Sequence, residues 1–129
     1  GILIGQGWNK YEGWADKNIH KFLYGRSKVG LNLHGSNQTG FPMELNERVY
    51  ILAACGIPQL IDNVDLLKFR FKEESLFIAE NPKQYIEMFK WILEDPVESE
   101  RRAVSALDEV YSKYTTFHRV EQFYNQIKS

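Results

Sequence analysis

The sequence predicts an α/β domain, a parallel sheet of about four strands flanked by helices and followed by a helical carboxyl-terminal tail. Three observations predict it. Short apolar runs alternate with helical patterns over residues 1–80, and such alternation implies βαβ crossovers and a parallel sheet. Residues 81–129 carry helical periodicity only. The 129 residues, 43% apolar and 14% aromatic, suit one domain with a packed core rather than a disordered chain. Residues 1–129 are therefore read as a single domain, 1–80 holding the sheet and 81–129 the last helices.

Gly1 to Trp8, GILIGQGW, reads as a first short strand ending in Gly-Gln-Gly. Trp8 to Asp16 is aromatic and polar without a period and is assigned to loop. Lys17 to Gly25 forms a short helix with Ile19, Phe22 and Leu23 on one face. Val29 to Leu33 is a second strand, in which apolar residues alternate with Gly30 and Asn32. Ser36 to Phe41 is turn-rich, and Gly35 and Gly40 permit positive φ there.

The next helix begins at Pro42 and Glu44, because proline suits a first turn and carboxylates suit its positive end. It runs to about Cys55 and stops at Gly56, with Pro58 enforcing the exit. Gln59 to Asp62 is a third strand, Val64 to Phe71 is either helical or extended, and Leu76 to Ala79 is a fourth strand. Asn81 caps a helix with Pro82 at its first position and a stripe of Tyr85, Ile86, Phe89, Ile92 and Leu93. Asp95-Pro96 ends it. Val97 to Tyr114 turns Ala103, Ala106, Leu107, Val110 and Tyr114 inward, and Thr115 or Thr116 caps a last helix through Val120, Phe123, Tyr124 and Ile127.

Charge and composition exclude several functions. Sixteen basic and seventeen acidic residues leave a formal charge of −1 with no basic block, which argues against nucleic acid as the partner. The single cysteine, Cys55, excludes an internal disulfide framework and reads as a buried small apolar residue. No apolar run reaches the ~20 residues that span a bilayer, and the reading is a cytoplasmic protein, at most at the inner face of the membrane. Asp62 and Asp65 are too sparse for a divalent ion, so no metal and no resident cofactor are expected. The apolar opening without methionine suggests a piece cut from a longer polypeptide, whose missing strands would leave a sheet edge that invites homodimerisation.

The polar residues concentrate where one strand ends. Asn32, His34, Gly35, Ser36 and Asn37 follow the second strand, and a helix begins a few residues later. Open α/β sheets bind ligands at that edge, and helix amino termini favour anions. A phosphate-bearing small molecule is the first ligand to consider. His34 acts on such a ligand or bonds neighbouring backbone, and Arg48 holds an anion or pairs with Glu44 or Glu47 on the helix surface, the i, i+4 spacing suiting Glu44. Trp8, Tyr11 and Trp14 either stack on sugar or anchor a loop. His118-Arg119 reads as a packing or capping feature.

The ordered set LNLHG, NERVYILAACGIPQLIDN, NPKQYIEMFKWILEDPVESERRAV and TTFHRVEQFYNQI resembles the carboxy-terminal domain of GT-B glycosyltransferases, in the branch of the spore-maturation proteins. Those show a strand ending in Leu-Asn-Xaa-His and a helix with Arg-Xaa-Phe-Glu-Xaa-Xaa-Ala-Cys-Gly. The likeness spans about Gly1 to Ile127. It implies a Rossmann-like, donor-binding half of a two-domain protein, with a nucleotide-diphosphate sugar as substrate. A missing amino-terminal half would hold a carbohydrate, lipid or protein acceptor.

By the same resemblance, Gly5 and Gly7 line the donor side, and His34, Gly35 and Ser36 approach the nucleotide. It also has Arg48 facing the diphosphate, where a cation stabilises the leaving group, while Glu44, Glu47 and Asn32 are further candidates for donor contacts, Asn32 otherwise pointing into the sheet or satisfying a loop. One departure stands out. Ile51 replaces the family's glutamate, which bonds the ribose hydroxyls, so Glu44 or Glu47 supplies that contact, the donor is held differently, or activity is lost. The alternatives to an active transferase are a degenerate transferase domain and a non-catalytic α/β binding or regulatory module. A signalling receiver is disfavoured by the missing acidic cluster after the first strand.

Overall fold

The computed structural model of the chain describes residues 23–34 and 45–128. The predicted first strand, the loops over Trp8–Asp16 and Ser36–Phe41, and the expected helix start at Pro42 and Glu44 lie outside these residues. Residues 23–26 are helical, within and just beyond the predicted 17–25 helix.

Among the described residues, β1 (Gly30–Asn32), β2 (Gln59–Asp62) and β3 (Phe77–Ala79) form a parallel sheet in the order β1-β2-β3. Gly30 lies opposite Gln59, and Leu60 opposite Phe77. Helix α1 (Arg48–Ala54) joins β1 to β2. A single turn, α2 (Leu67–Arg70), and a 3-10 turn at Glu73–Ser75 join β2 to β3. Helices α3 (Pro82–Glu94), α4 (Pro96–Lys113) and α5 (Thr116–Lys128) follow. The α/β class, the parallel sheet with flanking helices and the helical tail are thus as expected. Among the described residues no helix is long and apolar enough to cross a membrane.

β2 is the central strand, and its side chains divide the core. Ile61 packs with Val49, Ala53, Leu76, Ala106 and Val110 on the face covered by α1 and α4. Leu60 packs with Phe77, Ala79 and Ile92 on the face covered by α3. Both are fully buried, each contributing ~1.5–3 kcal/mol by leaving water. Gly30 permits the close approach of α1 to β1. A Cβ there would meet Leu52 Cδ2 at 2.9 Å and Ile57 Cδ1 at 3.1 Å.

Several boundaries differ from expectation for physical reasons. Leu45 and Asn46 are not helical, and α1 opens only at Arg48, because the Asn46 side chain accepts the Val49 N–H at 3.3 Å. Helix α1 does end as predicted, with Gly56 at φ 71° just past Cys55, although Cys55 itself is half-buried rather than buried. Val64 to Phe71 resolves into an irregular segment with one helical turn, burying Val64, Leu67 and Phe71.

The inward stripe of α3 is Tyr85, Met88, Phe89 and Ile92, leaving Ile86 and Leu93 largely exposed. This i, i+3, i+4, i+7 set is rotated from the expected one because Trp91 sets its ring edge-on to Phe77 at 5.1 Å. Asn81 caps α3 by accepting the Gln84 N–H at 2.9 Å. Asp95 then both ends α3 and caps α4, accepting the Glu98 N–H at 3.1 Å, so α4 starts at Pro96 and not Val97. Buried Glu109 on α4 accepts the Lys72 N–H at 3.1 Å and the Ser75 hydroxyl, which pins the 3-10 turn to that helix.

Candidate functional site

The carboxyl ends of β1 and β2 meet the start of α1 in a network of side-chain amides. Asn32 is fully buried because its even position on β1 points it between the sheet and α1. Its Nδ2 donates to Asn46 Oδ1 at 3.0 Å and to Gln59 Oε1 at 2.9 Å. Asn46 Nδ2 donates back to Asn32 Oδ1 at 2.8 Å, and Gln59 Nε2 donates to the Val49 carbonyl at 3.0 Å. Among the described residues no buried side-chain polar atom lacks a partner, as buried amides require.

Two residues beyond Asn32, past the end of β1, the imidazole of His34 is bound from both sides. Its Nδ1 lies 2.9 Å from Asp62 Oδ1, which also accepts the His34 backbone N–H at 3.1 Å. Nε2 accepts the Asn46 backbone N–H at 3.2 Å. An N–H donating to Nε2 assigns the ring proton to Nδ1, which donates to the carboxylate. Both nitrogens are thereby engaged inside the protein, and the side chain is wholly shielded from solvent. In this arrangement His34 ties the end of β1 to the end of β2 and to the segment before α1.

Those elements include the start of α1. Asn46 is held by Asn32 and His34 and in turn holds Val49, so the backbone around Arg48 is fixed from below. Arg48 is exposed, and its side chain makes no hydrogen bond or ion pair with any described residue. Glu47 is exposed beside it. The first amides of α1 are less available than a free helix end implies, since Val49 donates to Asn46 and Tyr50 to the Glu47 carbonyl. Ile51, in the family's glutamate position, is 41% exposed. Gly5, Gly7, Gly35, Ser36 and Glu44 lie outside the described residues.

Sequence reading missed Asn46, Gln59 and Tyr85, and set Asp62 aside as a weak metal ligand. An aspartate at the carboxyl end of a strand was the available signal. Tyr85, on α3, sends its hydroxyl beneath the same edge, donating to the Leu60 carbonyl at 3.1 Å and the Asn32 carbonyl at 3.4 Å. Burial pushes its phenol up to about 12. His118 is a capping residue, its Nδ1 lying 2.7 Å from the Thr115 hydroxyl. Among the described residues no cluster of three or more histidines, cysteines or carboxylates is placed to hold a metal.

Comparison with known proteins adds one relation. A family model described as glycosyl transferase-like matches residues 1–125. No curated protein and no solved structure matches the chain.

Proposed function

The chain belongs to the glycosyl transferase-like family, and from that premise we propose that it binds a nucleotide-activated sugar and transfers the glycosyl unit to an acceptor. The family match over residues 1–125 carries this reading. The polar junction at the strand ends supports it, because it holds the segment before α1 in place and sets beside it an exposed guanidinium that no described residue pairs. In glycosyl transfer the bond from the anomeric carbon to the diphosphate oxygen breaks while the acceptor oxygen bonds that carbon. Arg48 is assigned to the departing diphosphate, whose charge a guanidinium meets in bidentate fashion.

Glu47, exposed next to Arg48, takes the ribose contact that Ile51 cannot make. His34 and Asn32 serve as positioning residues that hold Asn46 and, through it, Arg48. Gly5, Gly7, Gly35, Ser36 and Glu44 keep the donor-side roles that the GT-B resemblance implies.

Titration of the chain with uridine and adenosine diphosphates, read by calorimetry and amide shift mapping, tests the assignment. Shifts are expected at residues 32–37 and 44–51, with Arg48→Ala weakening binding by at least ~10-fold, equivalent to about 1.4 kcal/mol. Shifts that avoid both segments would end the proposal. A second reading, a degenerate domain that binds without catalysing transfer, is favoured by one observation: the exposed isoleucine at position 51. Turnover of a donor by the protein separates the two.

A further inference from the structure

Helix α5 leaves the body of the molecule at a cluster of rings and cations. The rings of Tyr50, Phe71 and Tyr114 pack together with centroids 5.3 to 5.7 Å apart. The Tyr114 hydroxyl donates to the Arg70 carbonyl, which sets the end of α2 beside the end of α4. Burial raises the phenols of Tyr50 and Tyr114, and the guanidinium groups of Arg70 and Arg119 oppose it at both. Those two cations therefore flank the same pair of rings, and α2, the end of α4 and the start of α5 share one corner.

Positive charge gathers at this corner. Residues 67–72 and 110–128 hold Lys68, Arg70, Lys72, Lys113, Arg119 and Lys128 against the one carboxylate of Glu121, while the rest of the chain has sixteen acidic and ten basic residues. Glu73 and Glu74, which follow Lys72, line a separate groove with Arg102. Lys113 lies 3.7 Å from buried Glu109, and among the described residues none of the other five cations forms an ion pair.

Large apolar side chains stand among these charges. Phe69 is 67% exposed, with Lys68 Nζ 5.3 Å from its ring centroid. On α5, Phe117, Val120, Phe123, Tyr124 and Ile127 fill a sector of about 120° at 3.6 residues per turn, with Arg119 at one border and Lys128 at the other. An apolar helix face edged by cations is the pattern of helices that lie in a lipid interface.

We propose that this corner docks on the surface of an anionic membrane, with α5 lying in the interface plane and Phe69 inserting beside it. Basic side chains at such a surface meet lipid phosphates and carboxylates, and the apolar sector enters the boundary between headgroups and chains. Charge complementarity selects this occupant. A second copy docked through the same face would set the basic patch against itself. Nucleic acid would leave Val120 and Ile127 without a role. The face is convex, so it suits a fluid surface that closes around it better than a protein partner without a matching groove.

The test is co-sedimentation of the full chain with vesicles of phosphatidylcholine alone and of phosphatidylcholine and phosphatidylglycerol in equal parts. Binding to the mixed vesicles is expected to be at least ~10-fold tighter and to fall as salt is raised to about 0.5 M. Phe117→Ser with Phe123→Ser is expected to weaken it at least ~10-fold while the amide map of the sheet stays unchanged. Lys68→Gln with Arg119→Gln is expected to weaken binding to the mixed vesicles alone. Brominated lipid should quench the added emission of Phe117→Trp, which places α5 at the acyl boundary. Absence of binding to mixed vesicles, equal binding to both kinds, or binding that survives Phe117→Ser with Phe123→Ser would each overturn the proposal. So would a dimer of the free chain that the same double substitution dissolves, since the face would then belong to a second copy. Vesicle binding is read without any nucleotide, so its failure is distinct from failure of the donor assignment.

Discussion

At the carboxyl edge of the sheet, Asn32, Gln59 and His34 are buried, and every polar atom of their side chains has a partner. Helix α5 is the reverse. It is 13 residues long, none of them buried, and Phe117, Val120, Phe123, Tyr124 and Ile127 are each more than 60% exposed. The first region commits polar groups to long-range bonds that form only when the sheet and α1 are in place. The second owes its form to local helix propensity and its cap, and commits no apolar area to the described core. Stability and positional precision therefore concentrate at the sheet edge.

The largest expected effect that bears on this contrast comes from Asp62→Ala. It deprives two N–H donors of His34 of their shared acceptor and is expected to cost about 3 kcal/mol in urea unfolding. A loss below ~1 kcal/mol would show that the His34 staple is dispensable. Asn32→Leu leaves Gln59 Oε1 and the Asn46 amide without their partner, for an expected loss of about 2 kcal/mol. In combination with Gln59→Leu the two losses should fall short of additive by ~1 kcal/mol, because the pair shares one bond.

On the other side of the comparison, Phe123→Ser should change stability by no more than ~0.5 kcal/mol. A loss as large as that of Asn32→Leu would mean that α5 is packed in solution and would erase the contrast.

The smallest effect is electrostatic. Hydrogen bonds from Arg101 and Arg102 hold the Glu98 carboxyl at about 2, below its ordinary 4.5. A depressed carboxylate adds stability above the unfolded value and loses it as the group protonates. A shallow loss is therefore expected between pH 4.5 and about 2, absent in Glu98→Gln and reduced by salt.

The same contrast explains what could be read from the chain alone. Features written in neighbouring residues were legible: the strand Gln59–Asp62, the cap at Asn81 with Pro82, the stop at Gly56, the amphipathic stripe of α5. The start of α1 was not, because Asn46 capping competes with the proline and acidic signals upstream. His34 and Asn32 were legible as unusual polar residues at a strand end, yet not their partners. His34 meets Asp62 across 28 positions and Asn32 meets Gln59 across 27, separations that only the parallel register closes.

Tyr85 has a consequence that can be followed by light absorption. Its hydroxyl donates to the Leu60 and Asn32 carbonyls, and burial pushes its pKa up to about 12, against 10.0 for an ordinary tyrosine. Between those values the unfolded chain releases a proton that the native chain retains, so the folded form loses ground as alkali is added. Phenolate absorbance near the ultraviolet edge should rise first from exposed tyrosines and last from this one, and its late appearance should coincide with strand separation.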